Sequence, residues 1–405
     1  MEITSYFLIM VFTLSGLAIG YGENSFNVLD FGVIGDGKTD DSNAFVKAWR
    51  SACGAAGGAP TLTIPARKSY LLKSIRFTGP CRSNSIRVQF EGSIVAPNSR
   101  SQWTGCESAK WMQFVNVKGL VITGTGQIDG RGYIWWRKKP NQFNHTEHNN
   151  GRTSTCKAPN ALHFNKCDNL RLEGFTSRNS PNKHISIQNS NGVSISNLRI
   201  DAPGNSPNTD GIDISSSSQV NIKDSFIRTG DDCIAIKGGS SYINITHVTC
   251  GPGHGISIGS LGFGSGSQNV EEVHVRNCDL TGSTNGARIK TWPRGNPGYA
   301  RAITFEHIRV SSCKYPIIID QGYHELLTGA KVKVSDVTFR DFRGTSMTPV
   351  AIKLDCSELS CNNIVLDNIN LSSARPGKPV TSFCRNVHGK AISTVVPHVP
   401  CLSSS

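Results

Sequence analysis

Asp210, Asp232 and His254 recur at intervals of 22 residues, each just ahead of a similar short run. The runs are Gly211-Ile212-Asp213-Ile214, Cys233-Ile234-Ala235-Ile236 and Gly255-Ile256-Ser257-Ile258. Asp231 stands beside Asp232, so equivalent places of a repeat hold three carboxyls and an imidazole. Carboxyls used together suit the cleavage of a glycosidic bond. One protonates the leaving oxygen while another activates water or attacks directly. Crowding of like charges raises at least one pKa and keeps one acid protonated near the working pH. His254, between Gly253 and Gly255, is placed to hydrogen-bond a catalytic carboxyl or to hold its protonation state. A lone Asp at a turn is ordinarily a cap. Equal spacing of the whole set points instead to a shared site.

Spacing becomes proximity only if the fold stacks these units. The repeat extends beyond the site: His184-Ile185-Ser186-Ile187 opens it, 27 residues ahead of Gly211. Second strands follow after polar turns, at Val193-Ser194-Ile195, Val220-Asn221-Ile222 and Ile243-Asn244-Ile245. Looser copies lie earlier, at Val88 and Leu120, and later, at Val273, Ile303 and Ile364. Period-two alternation of β-branched residues predicts strands with one buried face. A repeat of this length predicts stacked units that cannot bury that face alone. The fold expected is all-β, a single-stranded right-handed parallel β-helix. Neighbouring strands lie ~4.8 Å apart, which would set Asp210, Asp232 and His254 one above another. A β-sandwich would call for hairpin turns and no fixed spacing, and the leucine-rich-repeat consensus is missing. Ends of such a stack need covers. Asp40-Asp41-Ser42-Asn43, followed by Phe45, Ala48, Trp49 and Ala52, predicts an N-terminal capping helix.

The chain of 405 residues is expected to form one solenoid domain, residues 23–405, after a signal peptide over residues 1–22. Thirteen cysteines and three N-glycosylation sequons, at Asn144, Asn244 and Asn370, fit a secreted protein. Expected disulfides are Cys53–Cys81, Cys233–Cys250, Cys356–Cys361 and Cys384–Cys401, with an odd thiol left over. Net charge of +13 favours a polyanionic partner. No basic-aromatic motif for reading nucleic acid occurs, and no later stretch is long enough for a membrane span. An acidic polysaccharide is the expected partner. Arg288 and Lys290, two apart on a predicted strand, face the same side. Such a pair of cations suits a sugar carboxylate. Tyr323, on a later coil, is a candidate sugar contact.

These residues resemble a known family. Ser206-Pro207-Asn208-Thr209-Asp210-Gly211-Ile212, Thr229-Gly230-Asp231-Asp232-Cys233, Gly251-Pro252-Gly253-His254-Gly255-Ile256-Ser257 and Arg288-Ile289-Lys290-Thr291-Trp292 occur in the order found in glycoside hydrolase family 28, the plant polygalacturonases. The resemblance implies a β-helical hydrolase that cleaves α-1,4-galacturonosyl links of pectin with inversion. It implies Asp231 as general acid, Asp210 and Asp232 as activators of water, and His254 as support for the acid. Asn208, Arg288, Lys290 and Tyr323 would bind substrate. No metal or organic cofactor is implied. A monomer secreted to the cell wall is expected. Coil spacing alone gives ~5 Å between Asp210 and Asp232, a gap usual for retention, so inversion rests on the resemblance. Rival readings are a calcium-dependent pectate lyase, a non-catalytic wall-binding protein or allergen, and a hydrolase of rhamnogalacturonan or xylogalacturonan. Loops near 135–155 and 261–267 would decide between endo and exo cleavage.

Overall fold

A computed structural model describes residues 24–104, 109–136, 156–323, 329 and 331–404. Residues 1–22, Asn144 and most of the 135–155 loop lie outside them. Eleven strands form one sheet, here the groove sheet: β1 (Ile75–Thr78), β2 (Lys110–Val115), β3 (Asn160–Asn165), β4 (Ile185–Gln188), β5 (Ile212–Ser215), β6 (Ile234–Ile236), β7 (Ile256–Leu261), β8 (Asn285–Thr291), β9 (Tyr315–Asp320), β10 (Val350–Asp355) and β11 (Thr381–Arg385). Each pairs in parallel with the next in chain order. The rest of each coil, such as Ser218–Arg228 and Ser240–Cys250, builds a second sheet, also paired in parallel. This is the parallel β-helix expected from the repeat.

Registration follows from the apolar positions. Ile185, Ile212, Ile234, Ile256 and Ala287 form one inward ladder, and Ile187, Ile214, Ile236, Ile258 and Ile289 form the next. All are buried in the central core. A one-residue slip would turn these ladders out to solvent, so the pairing is tightly specified. Long strands of the second sheet bend at one shared rung. There Asp224, His247, Asn277, His307, Asp341 and Asn368 all take φ between 49° and 54°. Asx and His residues tolerate this left-handed region better than most.

The N-terminal cap is a helix, α1 (Ser42–Gly54), that buries Phe45, Ala48, Trp49, Ala52 and Cys53. Trp49 packs against Phe77 and Phe114, and Cys53 is bonded to Cys81. Asp41 makes no side-chain cap on the helix. Its carboxylate accepts the backbone N–H of Ile34 and Gly35 instead, while Asp40 accepts from Ser42. The four expected disulfides all form. Cys167, Cys278 and Cys313 are buried free thiols. Among the sequons, Asn370 is exposed and Asn244 half-buried. No helix of the described residues is long and apolar enough to cross a membrane.

Candidate active site

Backbone pairing alone fixes the site's layout. His184 N–H donates to the Asp210 carbonyl, Gly211 N–H to that of Asp232, Cys233 N–H to that of Gly255, and His254 N–H to that of Asp231, all at 2.8–2.9 Å. Counting back two residues from the Ile185, Ile212, Ile234, Ile256 ladder gives one column: Lys183, Asp210, Asp232, His254. The structure thus brings the acids and the imidazole together at one edge of the groove sheet. Asp231 and His254 are hydrogen-bonded, Oδ1 to Nδ1, at 3.0 Å.

The three carboxyls differ in surroundings. Asp232 is 1% exposed and held by three donors. Oδ1 accepts from Ser257 Oγ at 2.8 Å and from Arg288 Nη2, and Oδ2 accepts from Lys290 Nζ at 2.9 Å. Burial pushes its pKa up, but Arg288, Lys290 and Lys237 outweigh burial and hold it far below the usual carboxylate range. Asp231 is the most accessible, its side chain 23% exposed. Burial raises it too, yet the His254 hydrogen bond and charge bring it below its ordinary value. Asp210 is driven the other way. Burial, with Asp213, Asp232 and Asp231 nearby, pushes it up to about 7, against the opposing charge of Lys183. By these charges the proton shared within the cluster prefers Asp210.

That shift has a consequence for stability. An unfolded Asp titrates near ~3.9. Between that value and about 7, the folded protein holds a proton that the unfolded chain has released. Stability therefore falls as pH rises through this window. Asp210→Asn removes the penalty, so the variant is expected to exceed wild type by up to ~4 kcal/mol near neutrality, at about 1.4 kcal/mol per pKa unit. Urea unfolding between about pH 4 and 7 checks this; an advantage that stays constant with pH would contradict it.

Arg288 and Lys290 do face the same side, as expected, but both ammonium and guanidinium lie on Asp232. Arg288 also donates from Nε to Ser257 Oγ at 2.9 Å. Tyr323 presents its ring to the Lys290 ammonium, 5.0 Å away, and meets Trp292 edge-on. Asn208 is exposed in the turn before Asp210, at φ 56°. Asp231, Asp232 and His254 have ligand atoms within 4.8 Å of one another. Because Asp232 already satisfies two cations and a hydroxyl, the trio is a hydrogen-bonded acid cluster rather than a cation cage.

Sequence reasoning missed Lys183, Asp213, Ser257 and Lys237. Asp213 is buried on β5, bonded to the Lys183 ammonium and 3.8 Å from that of Lys237. The repeat did carry a signal for Lys183. It precedes His184-Ile185 as Asp210 precedes Gly211-Ile212.

The chain belongs to the glycosyl hydrolases of family 28, whose family model matches residues 53–395. It is 44% identical to a probable polygalacturonase of Arabidopsis thaliana, over 97% of this chain and 84% of that one. It is 41% identical to polygalacturonase-2 of Solanum lycopersicum, over 95% and 82%. Among solved structures, the endo-xylogalacturonan hydrolase of Aspergillus tubingensis superposes with a TM-score of 0.75 at 26% identity, covering 94% of this chain and 98% of that one.

Proposed function

We propose that this chain is a polygalacturonase, hydrolysing α-1,4-galacturonosyl bonds of pectin with inversion. The observation that carries it is the graded set of carboxyls on one groove edge: Asp231 accessible and bonded to His254, Asp210 able to change protonation, Asp232 fixed as an anion. Asp231 gives its proton to the glycosidic oxygen as the C1–O bond breaks. Asp210 takes a proton from water as the water oxygen bonds to C1 from the opposite face. Asp232 has little basicity left and orients that water. Arg288 and Lys290 keep N–H donors beyond those given to Asp232 and Ser257, and these meet the substrate carboxylate. Net charge of +13 draws the polyanion in. Asn208, exposed two residues ahead of Asp210, and Tyr323, beside Lys290, serve as sugar contacts. The protein acts as a monomer, secreted to the cell wall.

A second assignment has its own support. The proton's preference for Asp210 allows Asp210 as the acid and the Asp231–His254 pair as the base. Unesterified polygalacturonate is the substrate for the primary test. Reducing ends should appear, and proton NMR should show the β anomer first, since inversion of an α link gives β. Blank-level release by folded protein overturns the activity. An ultraviolet-absorbing unsaturated product would mark a lyase, and α anomer first would mark retention.

A further inference from the structure

Lys183 occupies the same register position as the catalytic acids, one coil below Asp210. Nothing in the catalytic scheme uses it. Its backbone is locked: the Lys183 carbonyl accepts from Ala161 N–H at 2.9 Å and from Ser180 Oγ at 2.8 Å. The ammonium is bonded to the Asp213 carboxylate, and Asp213 lies on β5, the strand that starts two residues after Asp210. A cation fixed at both ends in this way acts on whatever charge forms next to it.

We propose that Lys183 is a positioning residue that stabilises the ionised form of Asp210, the form that can take a proton from water. This rests on the proposed role of Asp210 in activating water. The main charges around Asp210 can be assigned a sign. From the strand just after it comes Asp213, and from the coil above come Asp231 and Asp232, all of which favour a neutral Asp210. Lys237 lies against Asp213 and acts on Asp232, while Arg288 and Lys290 are engaged with Asp232. His254 is engaged with Asp231, and His184, on the coil below, is fully buried and kept neutral by burial. Lys183 is the cation that opposes protonation of Asp210 most strongly. Its own ammonium is stabilised in return by Asp213, Asp210 and Asp232, against the cost of burial. Asp213 therefore has two effects: it raises Asp210 directly and holds in place the cation that lowers it.

The test is the pH profile of kcat/KM on polygalacturonate for Lys183→Met and Lys183→Gln, which remove the charge, and for Lys183→Arg, which keeps it. The acid limb should move up by roughly one pH unit in both neutral variants, a ~10-fold loss on the acid side that disappears toward the plateau. Lys183→Arg should restore the limb. A limb that stays in place in a neutral variant that unfolds like wild type overturns the inference. So does an arginine variant shifted as far as the methionine one. Wild-type protein that releases no reducing ends would sink the underlying activity instead, so the two failures are separable.

Discussion

Asp231→Asn is expected to cut turnover on polygalacturonate by about 10³–10⁴-fold with little change in unfolding free energy. General acid catalysis contributes about 10²–10⁴-fold where a poor leaving group must be protonated, and a sugar hydroxyl is a poor one. The amide keeps the shape of Asp231 and can still meet His254 at 3.0 Å, but it carries no proton to give. Stability should hold because Asp231 is the most solvent-accessible of the three acids. Leaving-group dependence separates the two assignments of acid and base. On an aryl galacturonide whose phenol leaves without protonation, the defect should largely vanish if Asp231 is the acid. If Asp231 is the base, the defect persists on both substrates and is relieved by an added nucleophile such as azide. Near-wild-type turnover on the polymer would remove Asp231 from the chemistry altogether.

Arg288→Met is expected to cost about 1.5–3 kcal/mol of stability as well as activity. The residues alone suggest a milder outcome, a weaker grip on substrate. The structure changes that expectation because Arg288 is bonded to Asp232, which is 1% exposed. Removing Arg288 takes a charged donor from the buried Oδ1, while Lys290 and Ser257 stay on the carboxylate, so the loss is that of a charge-assisted hydrogen bond and its packing. Lys290→Met should behave similarly, since it holds the other carboxylate oxygen. Urea unfolding of the single variants and of the Arg288→Met/Asp232→Asn double variant checks the coupling. The double variant should lose less stability than the sum of the two single variants. The acid side should also change. Asp232 has a depressed folded pKa, so its contribution is present above the unfolded value near ~3.9 and is lost as pH falls through the folded one. Without Arg288 that loss should begin at higher pH. A raised KM with unchanged unfolding would show that Arg288 serves substrate alone.

Much of the site was legible because a solenoid turns sequence distance into height. Equal spacing of Asp210, Asp232 and His254 implied a shared column, and backbone pairing places them in one. The cap helix and the four disulfides were likewise readable from local pattern and cysteine placement. The role of each acid ahead of that helix was not legible, and Asp41 shows why. Its carboxylate serves the loop at Ile34 and Gly35 rather than the helix end, a choice between two sets of N–H donors that only the chain's path settles.

What the amino-acid order determined by itself was the ladder: β-branched residues at alternate places, at a nearly constant repeat, leave one register that buries them all. It thereby determined which side chains share an edge. What tertiary structure alone decided was the charge on each of them. Ionisation depends on burial and on partners coils away: Ser257, Arg288 and Lys290 make Asp232 a permanent anion, while burial beside Asp213 moves Asp210 toward neutrality. Those terms fall steeply with distance and rise as water is excluded, so they exist only once the coils have stacked.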